Sequence, residues 1–359
     1  MTFFGKQKSP ALFDQQAFHS QSEQKIKRRK NLVSNLFRFG LVVVVLVVSV
    51  GIAVRAPSLY TKVTKPFKSI NSEFYKENSL GFERRTNLLL ATIRENKLEE
   101  LALASFEPGK KKIIILKLDP STLVNGQQGP KKLSNLVVYG TGRVQNIDQL
   151  SAAVLEVVNY IPNGYVVVDD SQNWLTIESL NLLVEDSSLS PGFLLNLRKN
   201  KNYLDEHLLT NLSTNEFYKL ITSVKKIQPE RFELVDTQRY RTQSGFVDTK
   251  ALTNEIGARM NDSKVVEGNY AVEIIDSSGV EGLGQILKSV VANLGMNIVQ
   301  ISTTEDLEEK STVFVKERSN FLAEILQSFL KSKLEKNADT GSVDIRVVIG
   351  KDFGKFFDY

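Results

Sequence analysis

VEIIDSSGVEGLGQILKSVVANLGMNIVQIS, residues 272–302, is the stretch on which the fold turns. An apolar, β-branched run from Tyr270 to Ile275 ends in Asp-Ser-Ser-Gly, a turn composition. Apolar residues then recur at helical spacing from Gly282 to Leu294, and Met296 to Ile301 is a second run of strand length. The rhythm repeats, with a strand at Thr312 to Val315, a helix over Ser319 to Leu334 and a strand at Val343 to Ile349. This β-α-β-β-α-β order predicts a small sheet with helices packed on one face. Gly279, Gly282 and Gly284 superficially suggest a dinucleotide loop, but their spacing is not G-x-G-x-x-G and no acidic residue ends the next strand. They are expected to let the strand turn tightly into its helix.

Upstream, residues 82–262 read as a larger α/β unit. Asn87 to Thr92 (NLLLAT) is a strand, and Leu101 to Phe106 and Lys112 to Leu118 flank a Glu107-Pro108-Gly109-Lys110 turn. Ile147 to Tyr160 carries a helical stripe, Ile161-Pro162-Asn163-Gly164 breaks it, and Tyr165 to Val168 is a buried strand. Strands alternating with helices argue for an α/β layer architecture. Residues 174–240 read as more helical, with Leu204, Leu208 and Leu212 recurring every fourth residue and a cap at Leu212 to Glu216. Phe232 to Val235 returns to the sheet, Asp248 to Met260 is a closing helix, and residues 263–269 are a polar linker to the last unit, 270–353. Asp169-Asp170 reads as a solvated pair capping the next helix.

The N-terminal quarter is of another kind. Leu36 to Val54, LFRFGLVVVVLVVSVGIAV, would span roughly 28 Å as a helix, close to one hydrocarbon core. A basic cluster, Lys25, Lys27, Arg28, Arg29 and Lys30, precedes it, and only Arg38 interrupts it. Without a clean cleavage site, it is expected to be an uncleaved signal anchor in the lipid bilayer. Residues 1–35 would then be a disordered cytoplasmic tail and 55–81 a juxtamembrane stalk, with the C-terminal domains outside the cell. Residues 1–68 hold twelve Lys/Arg and two Asp/Glu, so a chain of net charge +5 leaves −5 for residues 69–359. The basicity belongs to the anchor, which removes the main argument for nucleic acid as a partner.

Cysteine is absent, and the only histidines are His19 and His207. Disulfides, thiolate metal sites, cysteine nucleophiles and multi-histidine zinc sites are excluded by counting.

The stretch quoted first, followed by TVFVKE at 312–317 and VDIRVVIGKDF at 343–353, resembles the C-terminal accessory domain of the LytR-CpsA-Psr (LCP) family. The family's Asn-Gly pair after the first strand is Asp276-Ser277 here. NLLLAT, KIIILKLDPSTLV at 112–124, KKLSNLVVYGTG at 131–142 and IPNGYVVVDD at 161–170 are similar in order and spacing to the family's catalytic domain. The resemblance implies a single transmembrane helix, an LCP-like α/β ectodomain and the small βαββαβ domain. Family members transfer glycopolymers from lipid pyrophosphate carriers to peptidoglycan, usually with a divalent metal.

Carried over residue by residue, the family's chemistry thins out. Its acidic residue after the first strand is Ile93, its Arg-Asp pair after the central strand is Pro120-Ser121, and its Asn is Ser134. The arginine-rich pyrophosphate clamp is reduced to Arg198 and Lys199. Arg94, Glu99 and Lys132 are the other candidate ligand-binding residues. Pyrophosphate needs guanidinium donors and a metal held by carboxylates, which proline, serine and isoleucine do not supply. The expected function is therefore a non-catalytic scaffold or binding protein of cell-wall assembly, with no cofactor. Its partners would be peptidoglycan, wall glycopolymer or other envelope proteins. The alternative is a divergent phosphotransferase using Mg²⁺ or Mn²⁺.

Overall fold

The computed structural model describes residues 69–75, 85–169 and 208–359, apart from 108, 127–128, 141–142, 225, 262, 317–320 and 337–339. The apolar span at 36–54 lies outside them. Among the described residues no helix is long and apolar enough to cross a membrane. The described residues belong to one compact unit holding two large sheets and two short two-stranded ones.

The first sheet starts with a meander of β1 (Thr86–Arg94), β2 (Lys97–Glu107) and β3 (Lys112–Leu118). Two short hairpins follow, β4 (Leu123–Gly126) with β5 (Gly129–Lys132) and β6 (Val138–Gly140) with β7 (Arg143–Asn146). Helix α1 (Asp148–Val158) then crosses to β8 (Gly164–Asp169), which pairs parallel to β1. β1 is buried along nearly its whole length, which is why it reads as a continuous apolar run rather than an alternating one. Asn159 ends α1 in the left-handed conformation at φ 56°, so the break begins two residues before Ile161-Pro162.

β9 (Leu208–Thr210) pairs antiparallel on the far side of β8. This corrects the helical reading at Leu208 and Leu212, while Leu204 lies outside the described residues. All three β9 residues are buried against the sheet, and tertiary pairing overrides a three-point leucine period. Helix α2 (Thr214–Val224) starts with the expected capping box, the Ser213 N–H and hydroxyl both donating to Glu216 at 2.8 and 2.7 Å. β10 (Phe232–Asp236) joins parallel to β3, giving the order β10-β3-β2-β1-β8-β9. Helix α3 (Thr249–Met260) is capped by Asp248, whose side chain accepts from Ala251 N–H.

The segment read as a linker, 263–269, instead forms helix α4 (Ser263–Gly268), because Val265 buries completely. The second sheet then runs β11 (Ala271–Asp276), helix α5 (Leu283–Asn293), β12 (Asn297–Thr303), β13 (Thr312–Val315) and helix α6 (Phe321–Leu330). It closes with β14 (Lys333–Lys336), β15 (Ile345–Ile349) and the short helix α7 (Lys351–Gly354). The order is β12-β11-β15-β13-β14. β14 is the strand the sequence reading missed. Lys331 at φ 53° ends α6, and Lys333 to Lys336 turn back to pair with β13 instead of extending the helix to Leu334. Gly279 and Gly282 have φ of 77° and 80°, and a Cβ on Gly284 would sit 3.2 Å from Asp276. Those glycines do make the tight strand-to-helix turn.

One apolar cluster runs from Ile70 through both sheets to Tyr359. Residues 69–75, part of the segment expected to be a stalk, belong to it: Ile70, Phe74 and Tyr75 are buried. The Tyr165 hydroxyl accepts from Ile70 N–H at 2.8 Å, and Tyr75 and Ser151 share a hydroxyl hydrogen bond of 2.7 Å. Phe74 stands edge-on to Phe329 and Phe356, with centroids 6.4 and 5.3 Å away.

Candidate functional site

β1, β3, β8 and β10 run in the same direction, so their C-terminal ends share one edge of the sheet. In open α/β sheets that edge is where ligands bind. It brings together Arg94, Glu99 and the Asp119-Pro120-Ser121 turn after β3. Arg198 and Lys199 lie outside the described residues, as do Asp170 and the side chain of Asp169.

Arg94 is the last residue of β1. Glu95 and Asn96, at φ 51° and 60°, turn the chain directly into β2. That two-residue turn brings Glu99 back alongside, and its carboxylate pairs with the Arg94 guanidinium at 3.0 Å. The two candidate ligand groups therefore meet each other. Ile93 points inward and is 3% exposed, packed in the same core as Leu98. Lys132 ends β5 exposed to solvent, opposite Leu123.

The central feature of the edge is Asp119, which the sequence reading passed over. Its carboxylate accepts from Ser121 N–H at 2.8 Å, from Arg241 at 2.9 Å and from the Gln238 amide at 3.2 Å. Arg241 also donates to the Ser121 hydroxyl at 3.0 Å. Burial alone would raise the Asp119 carboxyl. The Ser121 hydrogen bonds, the Arg241 charge and the Gln238 amide outweigh it and hold Asp119 below its ordinary value. The Pro120 carbonyl is in turn occupied by Ser134 N–H at 2.9 Å. An Asp followed two residues later by Ser is a turn signal legible in sequence, but its partner Arg241 stands 122 positions away.

Chemically, this edge is closed on itself. Arg94 is matched by Glu99 and Arg241 by Asp119, so neither guanidinium is spared for a diphosphate. Among the described residues no three His, Asp or Glu side chains converge as a metal ion needs. At the positions the resemblance assigns to acid and metal stand a buried isoleucine and a serine already bonded to arginine. Those residues do not fit a divalent cation.

A second titrating group sits on α1. The Glu156 carboxylate accepts from the Tyr359 hydroxyl at 2.6 Å and from Asn125 N–H at 3.1 Å. Burial raises it above 4.5, its ordinary value, and these two hydrogen bonds only partly offset the rise. A carboxyl that holds its proton more tightly folded than unfolded stabilises the fold below the unfolded value. That contribution is lost as pH rises through the folded one. Glu156→Gln is accordingly expected to flatten the decline of stability as pH rises above 4.5, the ordinary glutamate value, read as urea midpoints against wild type. Parallel curves would show that Glu156 does not titrate this way.

Residues 269–353 match the family model described as LytR cell envelope-related transcriptional attenuator. No curated protein matches the chain. Among solved structures, TagT of B. subtilis is 16% identical, with 53% of this chain and 99% of TagT covered and a TM-score of 0.33. TagV of B. subtilis is 11% identical over 60% of this chain and 99% of its own, at 0.34. Lin1025 of Listeria innocua is 12% identical over 49% and 97%, at 0.32. At scores this low the likeness carries no argument about fold or activity. The family match, residues 269–353, coincides with the second sheet and its helices.

Proposed function

We propose that this chain is a membrane-anchored, outward-facing cell-envelope protein that binds wall material and has no phosphotransferase activity. The closed strand edge is the observation that carries this reading. Phosphoryl transfer from a lipid carrier requires cations and a metal directed at the charge that develops on the diphosphate. Here the acid position is buried Ile93, and the turn after β3 is taken up by the Asp119–Arg241 pair. The LytR_C match supports an envelope role, and the apolar span at 36–54 with its basic flank supports an anchor with the C-terminal domains outside.

Reporter fusions at both termini, membrane extraction and co-sedimentation with purified peptidoglycan sacculi test the reading together. A detergent-extracted protein with an outward C-terminal body that co-sediments with sacculi is expected. A freely soluble cytosolic protein, or one indifferent to sacculi, would overturn it.

A further inference from the structure

Beside Glu156, residues of α1, β4, the start of α3 and the start of α5 enclose a cleft of about 740 Å³. That lies within the roughly 300–1,000 Å³ range of small-ligand sites. Its chemistry is selective. Among the described residues no lysine or arginine lines it, while Glu156 and Glu281 do. An anionic ligand would therefore find no compensating charge. What the lining offers is amides and hydroxyls, from Asn125, Gln285, Thr249 and Ser289. Phe246 and Phe357 add apolar ring surface.

From this lining we infer that the cleft is a binding site for a neutral, hydroxyl-rich saccharide. Side-chain amides and a carboxyl supply paired donors and acceptors for adjacent hydroxyls, and an aromatic ring accepts the apolar C–H face of a sugar. Glu156 anchors the floor, tied to Asn125 N–H at 3.1 Å and to the Tyr359 hydroxyl at 2.6 Å. The inference deepens the envelope reading by naming a ligand class, and it rests on that reading for the source of the sugar.

The test is calorimetric titration of the full chain in detergent with an N-acetylglucosamine tetramer, a neutral probe, and separately with inorganic pyrophosphate. Saturable binding of the tetramer is expected, weakened at least tenfold by Asn125→Ala and by Gln285→Ala, with pyrophosphate failing to compete. Both side chains are exposed, so unchanged thermal unfolding of either variant verifies its fold. No tetramer binding, affinity unchanged in both variants, or displacement by pyrophosphate would each overturn the inference. Sacculus co-sedimentation that survives such a failure would leave the envelope reading standing. A cytosolic location would remove that reading whatever the cleft binds.

Discussion

Phe74→Ala is expected to cost about 3–5 kcal/mol of unfolding free energy, the range for removing a large buried ring. Phe74 is 3% exposed, and its neighbours come from three separate places in the chain: Tyr75 beside it, Phe329 on α6 and Phe356 after α7. Edge-on ring pairs add about 0.5–1.5 kcal/mol to simple burial, and here several are lost together. Collapse of the hole is resisted because Phe353 packs against both Phe329 and Phe356 at 4.9 and 6.0 Å. Lys355→Ala removes an exposed ion pair to Glu73 and a cation–π contact with the Phe356 ring at 5.4 Å, and is expected to cost about 1 kcal/mol. Urea denaturation of both variants makes the comparison. A Phe74→Ala loss no larger than that of Lys355→Ala would mean that residues 69–75 do not belong to the folded core.

Gly350→Ala is the second large effect, about 2–3 kcal/mol by overpacking, occasionally more. A Cβ at Gly350 would lie 2.5 Å from the Lys310 carbonyl carbon and 2.7 Å from Ser311 N, both backbone atoms that no rotamer change can move away. Gly350 N–H also donates to the Ser311 hydroxyl at 2.9 Å, and Asp352 accepts from the Ser311 N–H and hydroxyl at 2.8 and 2.7 Å. The alanine methyl therefore drives apart the loop before β13 and the turn after β15. Gly109→Ala, at a position where nothing lies within 4 Å, is the matching control and should be nearly neutral. Similar thermal midpoints for the two variants would contradict the close approach at Gly350.

Local pattern was enough for much of this fold. The β2–β3 hairpin, the α1 helix and its break, the Ser213 capping box and the alternation from β11 to β13 all follow from periodicity and turn chemistry. The failures share a cause. Leu208 to Thr210 became a strand, and Lys333 to Lys336 left the helix, because neighbouring strands β8 and β13 offered unsatisfied backbone edges. Phe74 buried itself against rings more than 250 positions downstream, and Ile70 and Tyr75 against Tyr165 and Ser151, which no local window senses. The candidate site divides in the same way. Ile93, Pro120 and Ser121 already indicated missing chemistry by their residue types. That Arg94 meets Glu99, and that Arg241 occupies Asp119, depends on turns and on pairing across the sheet.

The proposed absence of phosphoryl transfer is tested most directly in bilayer vesicles. The full-length protein is mixed with a polyprenyl-pyrophosphate-linked saccharide and Mg²⁺ or Mn²⁺, and cleavage of the carrier's phosphoanhydride bond, with release of polyprenyl phosphate, is followed. Cleavage no faster than in protein-free vesicles is the predicted result. Metal-dependent release of the saccharide that Arg94→Ala or Glu99→Ala abolishes would contradict it.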